Sequence, residues 1–166
     1  MAEEKVKEPI KRVSIIISKG SLDGIYPGLI MANGARMEGI EAMVFFTFFG
    51  LDAIIKKNMN NVKVATVGNP GMRMPGGIPM PTVLGAIPGM SAFATFMMNK
   101  EMDSLDIPPI GEFIEMLDAA GAEIYACKAA MDMFHYTEKD LTEEVSEVLT
   151  IGDFYEKSAG SQIIFT

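Results

Sequence analysis

A three-layer α/β domain with a mainly parallel sheet is the fold class this sequence predicts. Two observations carry that prediction. Short runs rich in β-branched and aromatic residues, such as RVSIIIS (12–18) and IEAMVFFTFF (40–49), lack the polar alternation of a half-exposed strand. They read as strands buried on both faces. Segments with helical spacing separate these runs from end to end, the pattern of parallel strands joined by crossover helices. With 166 residues, 49% of them hydrophobic and 22% charged, the chain is large enough for one full core.

Taken in order, residues 1–11 form a charged tail, and the single domain spans 12–166. After the first strand, KGSLDG supplies turn residues. Leu22, Ile25, Leu29 and Ala32 then recur at helical spacing, with Tyr26, Ile30 and Met37 widening the face. Pro27 suits the first turn of that helix and Gly39 its end. The second strand (40–49) is followed by Gly50 and a short helix, LDAIIKKN. VKVATVG (62–68) reads as a third strand or an edge hairpin arm. A Met/Pro/Gly-rich loop fills about 69–89, and MSAFATFMMNKEM (90–102) is a largely apolar helix. In DIPPIGEFIEMLDAAG, Ile110, Phe113, Ile114, Leu117 and Ala120 make one face of an amphipathic helix that Gly121 stops. AEIYAC (122–127) is a strand and KAAMDMF starts a helix. Thr137 with Asp140, and Thr150 ahead of IGDFYEKSAG, read as helix caps. QIIF (162–165) is the last of five strands.

Charge narrows the partners. A net charge of −8 argues against nucleic acid or an anionic membrane surface, which need clustered Lys and Arg. One cysteine excludes an intrachain disulfide, and the charged N-terminus has no apolar stretch of signal-peptide type, so the expected location is the cytoplasm. No charged residue occurs between Arg73 and Lys100, a length able to cross a bilayer. Pro75, Pro79, Pro81 and Pro88 are spread along that stretch, and proline breaks helices. An apolar lid or subunit interface suits it better than a membrane span.

In parallel sheets, functional groups gather at the carboxyl ends of the strands. Ser18, Lys19, Gly20 and Ser21 follow the first strand there, and Thr47, Phe48, Phe49 and Gly50 the second. Cys127, the only cysteine, ends a strand and opens a helix. A thiol so placed faces the positive end of the helix dipole, which favours the thiolate nucleophile. Lys128 or Lys19 could add positive charge, and Arg73 on the central loop offers a planar fork to an anionic substrate such as thiosulfate. The plainer alternatives are a packed cysteine and an ordinary surface loop. His135, the only histidine, is a poor base for Cys127. Eight residues of continuous helix separate groups by about 12 Å. One cysteine and one histidine do not make a zinc site, and SKGSLDG matches no nucleotide-binding fingerprint. No metal or cofactor is expected.

Two segments carry a family resemblance. ANGARMEGIEAMVFFTFFGLDAI (32–54) resembles the phenylalanine-rich second strand, followed by Gly-Leu, of the DsrE-type branch of the DsrE/DsrF/DsrH-like family. ACKAAMDMF (126–134) resembles that branch's strand-end cysteine, with Met-Asp four residues on. Members of the branch are often labelled sulfurtransferases or peroxiredoxin-like proteins. The resemblance spans about 12–165. It implies a flavodoxin-like fold, a homo-oligomer (trimer, tetramer or hexamer) and the handling of sulfane sulfur. It also implies that Cys127 accepts sulfur as a persulfide or thiosulfonate and passes it to a small carrier of the TusA type. Some relatives carry a second cysteine in the central loop, and this chain does not. Any relay must therefore run between proteins. Two other readings stay open: an oligomeric binding or scaffold protein with a packed cysteine, and a membrane-associated member anchored by 78–98.

Overall fold

The structure, a computed structural model, describes residues 9–73 and 77–166. Most of the expected tail, and Met74, Pro75 and Gly76 of the central loop, lie outside the described residues. Five strands form one sheet: β1 (Arg12–Ile17), β2 (Glu41–Phe46), β3 (Glu123–Cys127), β4 (Glu147–Leu149) and β5 (Gln162–Phe165). Their order is β4-β3-β2-β1-β5 and every pairing is parallel. The expected three-layer, flavodoxin-like α/β class is observed. The last strand returns to flank β1.

Helices α1 (Leu22–Met37) and α3 (Ile110–Ala119) pack together on the sheet. Leu22, Ile25, Leu29 and Ala32 of α1 are buried as their spacing predicts, whereas Ile30 and Met37 are exposed and do not widen the face. Pro27 sits inside α1, at its sixth residue, beyond the first turn expected for it. Gly39 and Gly121 end α1 and α3 with φ of 74° and 79°, the left-handed geometry that favours glycine. Ala120 is the exposed cap residue of α3 and not part of its buried face. Across the sheet, Phe154 of α5 (Ile151–Lys157) lies 4.7 Å from Phe45 between ring centroids. β1 and β2 are buried almost throughout, and even Ser14 is fully enclosed, its hydroxyl 2.6 Å from that of Ser161.

Three expectations need correction. Residues 62–68 are not a strand. Val62, Val64 and Thr66 are buried with a period of two, but β2 already has β1 and β3 as neighbours. The segment finds other partners. Lys63 makes one isolated bridge with Ser21, while Val64 is held by Thr95 and Ser91 of α2 (Met90–Ser104). The second strand ends at Phe46, and a 3₁₀ turn (Phe48–Ala53) replaces both its tail and the start of the expected LDAIIKKN helix. Beyond that turn, Ile55 bridges Leu141 in antiparallel sense. The fifth strand comes instead from β4, three residues that pair only with β3. Such a stub carries too little periodicity to be seen in sequence.

Candidate functional site

The carboxyl edge of the sheet brings three chain turns together. Phe46 pairs with Ala126 and Ile17 with Phe46, so Thr47 stands one step beyond the last pair, beside Cys127. The turn Thr47–Gly50 is tied to the end of β1: Thr47 N donates to Ile17 O at 3.0 Å and Gly50 N to Ser18 O at 3.0 Å. Two glycines make this approach possible. A Cβ on Gly50 would lie 2.2 Å from Ile17 O, and one on Gly20 would lie 2.6 Å from Phe49 O. Both contacts are with backbone, which cannot step aside cheaply. Gly20 and Gly50 therefore serve the close packing of these turns.

Cys127 is the residue that caps α4 (Lys128–Met133) and is 2% exposed. By the pleat, its side chain leaves the sheet on the same face as Tyr125. That face carries α5, since Lys157 of α5 lies 5.0 Å from the Tyr125 ring centroid. α4 ends in a nested pair of backbone bonds: Tyr136 N donates to Met131 O at 2.9 Å and His135 N to Asp132 O at 3.3 Å. His135 occupies the left-handed position of that ending, with φ of 58°. The chain does turn at Phe134, yet His135 is exposed and bound into the helix ending. Met131 is buried in the core and Asp132 lies at the surface.

The expected cations are differently placed. Lys128 pairs with Asp132 one turn along, both of them exposed, so its charge is engaged on the outer face of α4. Lys19 is exposed, its stem lying against Gly24. Arg73 is exposed, and its Nη1 donates to Gly77 O at 3.5 Å within its own loop. Of the residues singled out in the sequence, the structure brings together Gly20, Thr47, Gly50 and Cys127.

What sequence reading missed is an aromatic cluster at this edge. Phe48 and Phe49 meet edge to face at 4.6 Å, and their rings lie 5.9 and 5.5 Å from Phe134, which in turn lies 6.3 Å from Tyr136. Asn58 donates to both Asp52 and the Tyr136 hydroxyl, and Lys57 sits 5.0 Å from the Tyr136 ring centroid. Among the described residues, no group of three His, Cys, Asp or Glu side chains could hold a metal ion. Nor is any helix among them long and apolar enough to cross a membrane. The 78–98 stretch is instead broken by a 3₁₀ turn at Thr82–Ala86 and by Gly89 in the left-handed region.

Two depressions lie elsewhere, and Cys127 lines neither. One, of about 240 Å³, is an apolar groove between α1 and α2 lined by Tyr26, Ile30, Met98 and Met102. There the Tyr26 hydroxyl donates to Pro108 O at 3.0 Å, and burial, helped by the Asp103 charge, pushes its phenol up to about 12. The other, of about 550 Å³, is polar and flanks the segment leading into β4.

An all-parallel α/β sheet with a cysteine at a strand end defines the class of protein, and known structures share its fold. A protein of unknown function from Methanobacterium thermoautotrophicum, MTH1491, superposes with a TM-score of 0.56 over 93% of this chain and 98% of its own, at 12% identity. The ychN protein from E. coli superposes with a TM-score of 0.55 over 95% and 100%, also at 12% identity. The sequence then sets the family. The chain belongs to the DsrE/DsrF/DrsH-like family, whose profile matches residues 9–165. It is 37% identical over 155 residues to the sulfur carrier protein DsrE2 of Allochromatium vinosum, covering 92% of this chain and 96% of that protein. The uncharacterized protein YrkE of Bacillus subtilis is 27% identical over 139 residues, covering 83% and 86%.

Proposed function

We propose that this chain is a sulfur carrier in which Cys127 holds a sulfane sulfur as a persulfide. One observation carries the reading: the only cysteine of a chain 37% identical to a sulfur carrier protein stands at the carboxyl edge of the sheet, at the start of a helix. The chemistry is a balanced exchange. The Cys127 thiolate attacks the outer sulfur of a persulfide donor, and the donor's S–S bond breaks. The donor leaves as a thiolate that takes up a proton, and Cys127 keeps the outer sulfur. An acceptor thiolate then attacks that sulfur and releases the Cys127 thiolate, with no net oxidation. A partner must supply the second thiol, because the chain has only one. A small carrier protein of the TusA type fits that role.

Residues 12–166 act as one cytoplasmic domain in this reading. The exposed apolar side chains of α2 support a homo-oligomer that covers them. Lys19 and Arg73 are left as exposed charges able to meet an anionic donor, while Lys128 is held by Asp132.

A second reading draws on the 2% exposure of Cys127: a scaffold protein whose cysteine is packing alone. Mass spectrometry of the intact protein separates the two. After incubation with polysulfide, the carrier gains sulfur that reductant removes, and Cys127→Ala gains none. An unchanged wild-type mass with polysulfide, thiosulfate and tetrathionate alike leaves the scaffold reading.

A further inference from the structure

The two edges of the sheet are finished differently. β4 is three residues long, its Leu149 is fully buried, and its Glu147 is held by Lys157 at 3.1 Å. A short edge strand that carries a charge is poorly suited to receive another strand. β5 pairs only with β1, and no residue from Ser158 to Thr166 is charged. Thr166 shows how this edge is turned. Its N–H donates to Ile16 O at 2.8 Å and its C=O accepts from Ser18 N at 3.2 Å, so both groups face β1. Backbone groups alternate sides along a strand. Those of Ile164 therefore face β1 as well, and those of Ile163 and Phe165 point away from the sheet.

Side chains alternate too. The Thr166 hydroxyl lies on the α1 face, since a Cβ on Gly28 of α1 would stand 3.2 Å from it. Ile164 shares that face, and Ile163 and Phe165 take the other. Phe165 is in register with Ile16, and Ile16 with Phe45, on the face that carries α5. α5 covers that face in part: its Phe154 rests on Phe45 of β2, and its Lys157 on Tyr125 of β3. Past them Ile16 is half-buried, and Ile163 and Phe165 are 48% and 68% exposed. The free edge and the bare apolar face belong to the same two residues.

From this we infer that β5 pairs with β5 of a second copy of this chain, antiparallel about a twofold axis, to make one ten-stranded sheet from two of five. The register singles out that occupant. In an antiparallel pair, residues whose backbone groups face each other exchange two bonds. Ile163 then stands against the partner's Phe165, Ile164 against the partner's Ile164, and Phe165 against the partner's Ile163. Every outward backbone group of Ile163 and Phe165 is met, and each Phe165 ring covers the partner's Ile163 on the open face. No charge stands across from another, which matters between copies of net charge −8. Such an interface closes on itself and leaves no strand edge free at β5. It goes beyond the carrier reading and uses no thiol. Of the oligomers implied by the family resemblance, it selects the tetramer and hexamer over the trimer.

Sedimentation of the full chain tests it. Wild type is expected as an even-numbered oligomer. Phe165→Lys sets two like charges diagonally across the pair, and Ile163→Pro removes an outward N–H that β1 does not use. Each is expected to halve the molar mass. Where either variant does not fold by circular dichroism, cross-linking decides. Ile164→Cys in a Cys127→Ala background stands on the axis, about 4.5 Å from its copy between Cα atoms and within disulfide reach. Oxidation with copper-phenanthroline is expected to double its intact mass. Gln162→Cys in the same background lies about 14 Å from its copy and is expected to stay single. A wild type that is a monomer or a trimer overturns the pairing. So does a molar mass that both folded variants leave unchanged, or equal cross-linking at 162 and 164. Sulfur loading on Cys127 needs none of this, so failure here leaves the carrier reading to its own assay. A chain that pairs through β5 while polysulfide adds no mass overturns the carrier reading alone.

Discussion

Helices α2 and α3 both look apolar in sequence, yet they do opposite things. α3 buries Ile110, Phe113, Ile114 and Leu117 on one face. α2 buries only Ala94 and Met102, and leaves Phe93, Phe96, Met97 and Met98 at the surface. The difference lies in spacing. The apolar residues of α3 recur every three or four positions and meet the sheet as a stripe. Those of α2 surround the helix, so one sheet face cannot cover them all. Besides Ala94 and Met102, α2 is tied in by two polar bonds: Ser91 Oγ donates to Val64 O, and Thr95 Oγ1 accepts from Val64 N. Apolar content therefore predicts a helix, and only its period predicts what that helix buries.

Substitutions can break or sharpen this contrast. The largest effect is expected in α3, where Phe113→Ala should lower the unfolding free energy in urea by about 3–5 kcal/mol. Met102→Ala, at the one large buried side chain of α2, should cost about 2 kcal/mol by the same measurement. Phe96→Ala should stay within about 0.5 kcal/mol for the isolated chain. Phe96→Glu should instead lower the molar mass in sedimentation if other copies cover α2. A destabilisation by Phe96→Ala as large as that of Phe113→Ala would erase the contrast.

The smallest expected effect concerns α5, whose start is fixed by a cap and not by packing. Thr150 bonds hold the Asp153 carboxyl below the usual carboxylate range. A carboxyl with a lowered folded pKa adds stability above its unfolded pKa and loses it as pH falls through the lowered value. Asp153→Ala should accordingly be less stable than wild type at neutral pH, with the gap closing in acid. A gap that stays constant into strong acid would show that the charge contributes nothing.

Local signals were the legible part of this fold. The buried runs of β1 and β2, the α3 stripe, the glycine stops and the caps at Thr137, with Asp140, and at Thr150 could be read because each depends on residues close in sequence. The misread parts depend on distant partners. Val62, Val64 and Thr66 alternate as a strand does, but they bond to Ser21 and α2 and join no strand of the sheet. β4 is a strand only because β3 lies beside it. At the candidate site, Cys127 and the turns around it were readable from strand ends. Its burial, the pairing of Lys128 with Asp132, and the meeting of Phe48 and Phe49 with Phe134 are tertiary facts.

In the proposed function, Cys127 passes sulfur from a donor to an acceptor protein. Load the protein with polysulfide, remove the excess, add a thiol-bearing acceptor protein, and follow both intact masses over time. The loaded chain is expected to return to its original mass as the acceptor gains the same sulfur, and Cys127→Ala is expected to deliver none. Sulfur that loads equally well onto Cys127→Ala, or that never reaches the acceptor from the loaded wild type, would contradict it.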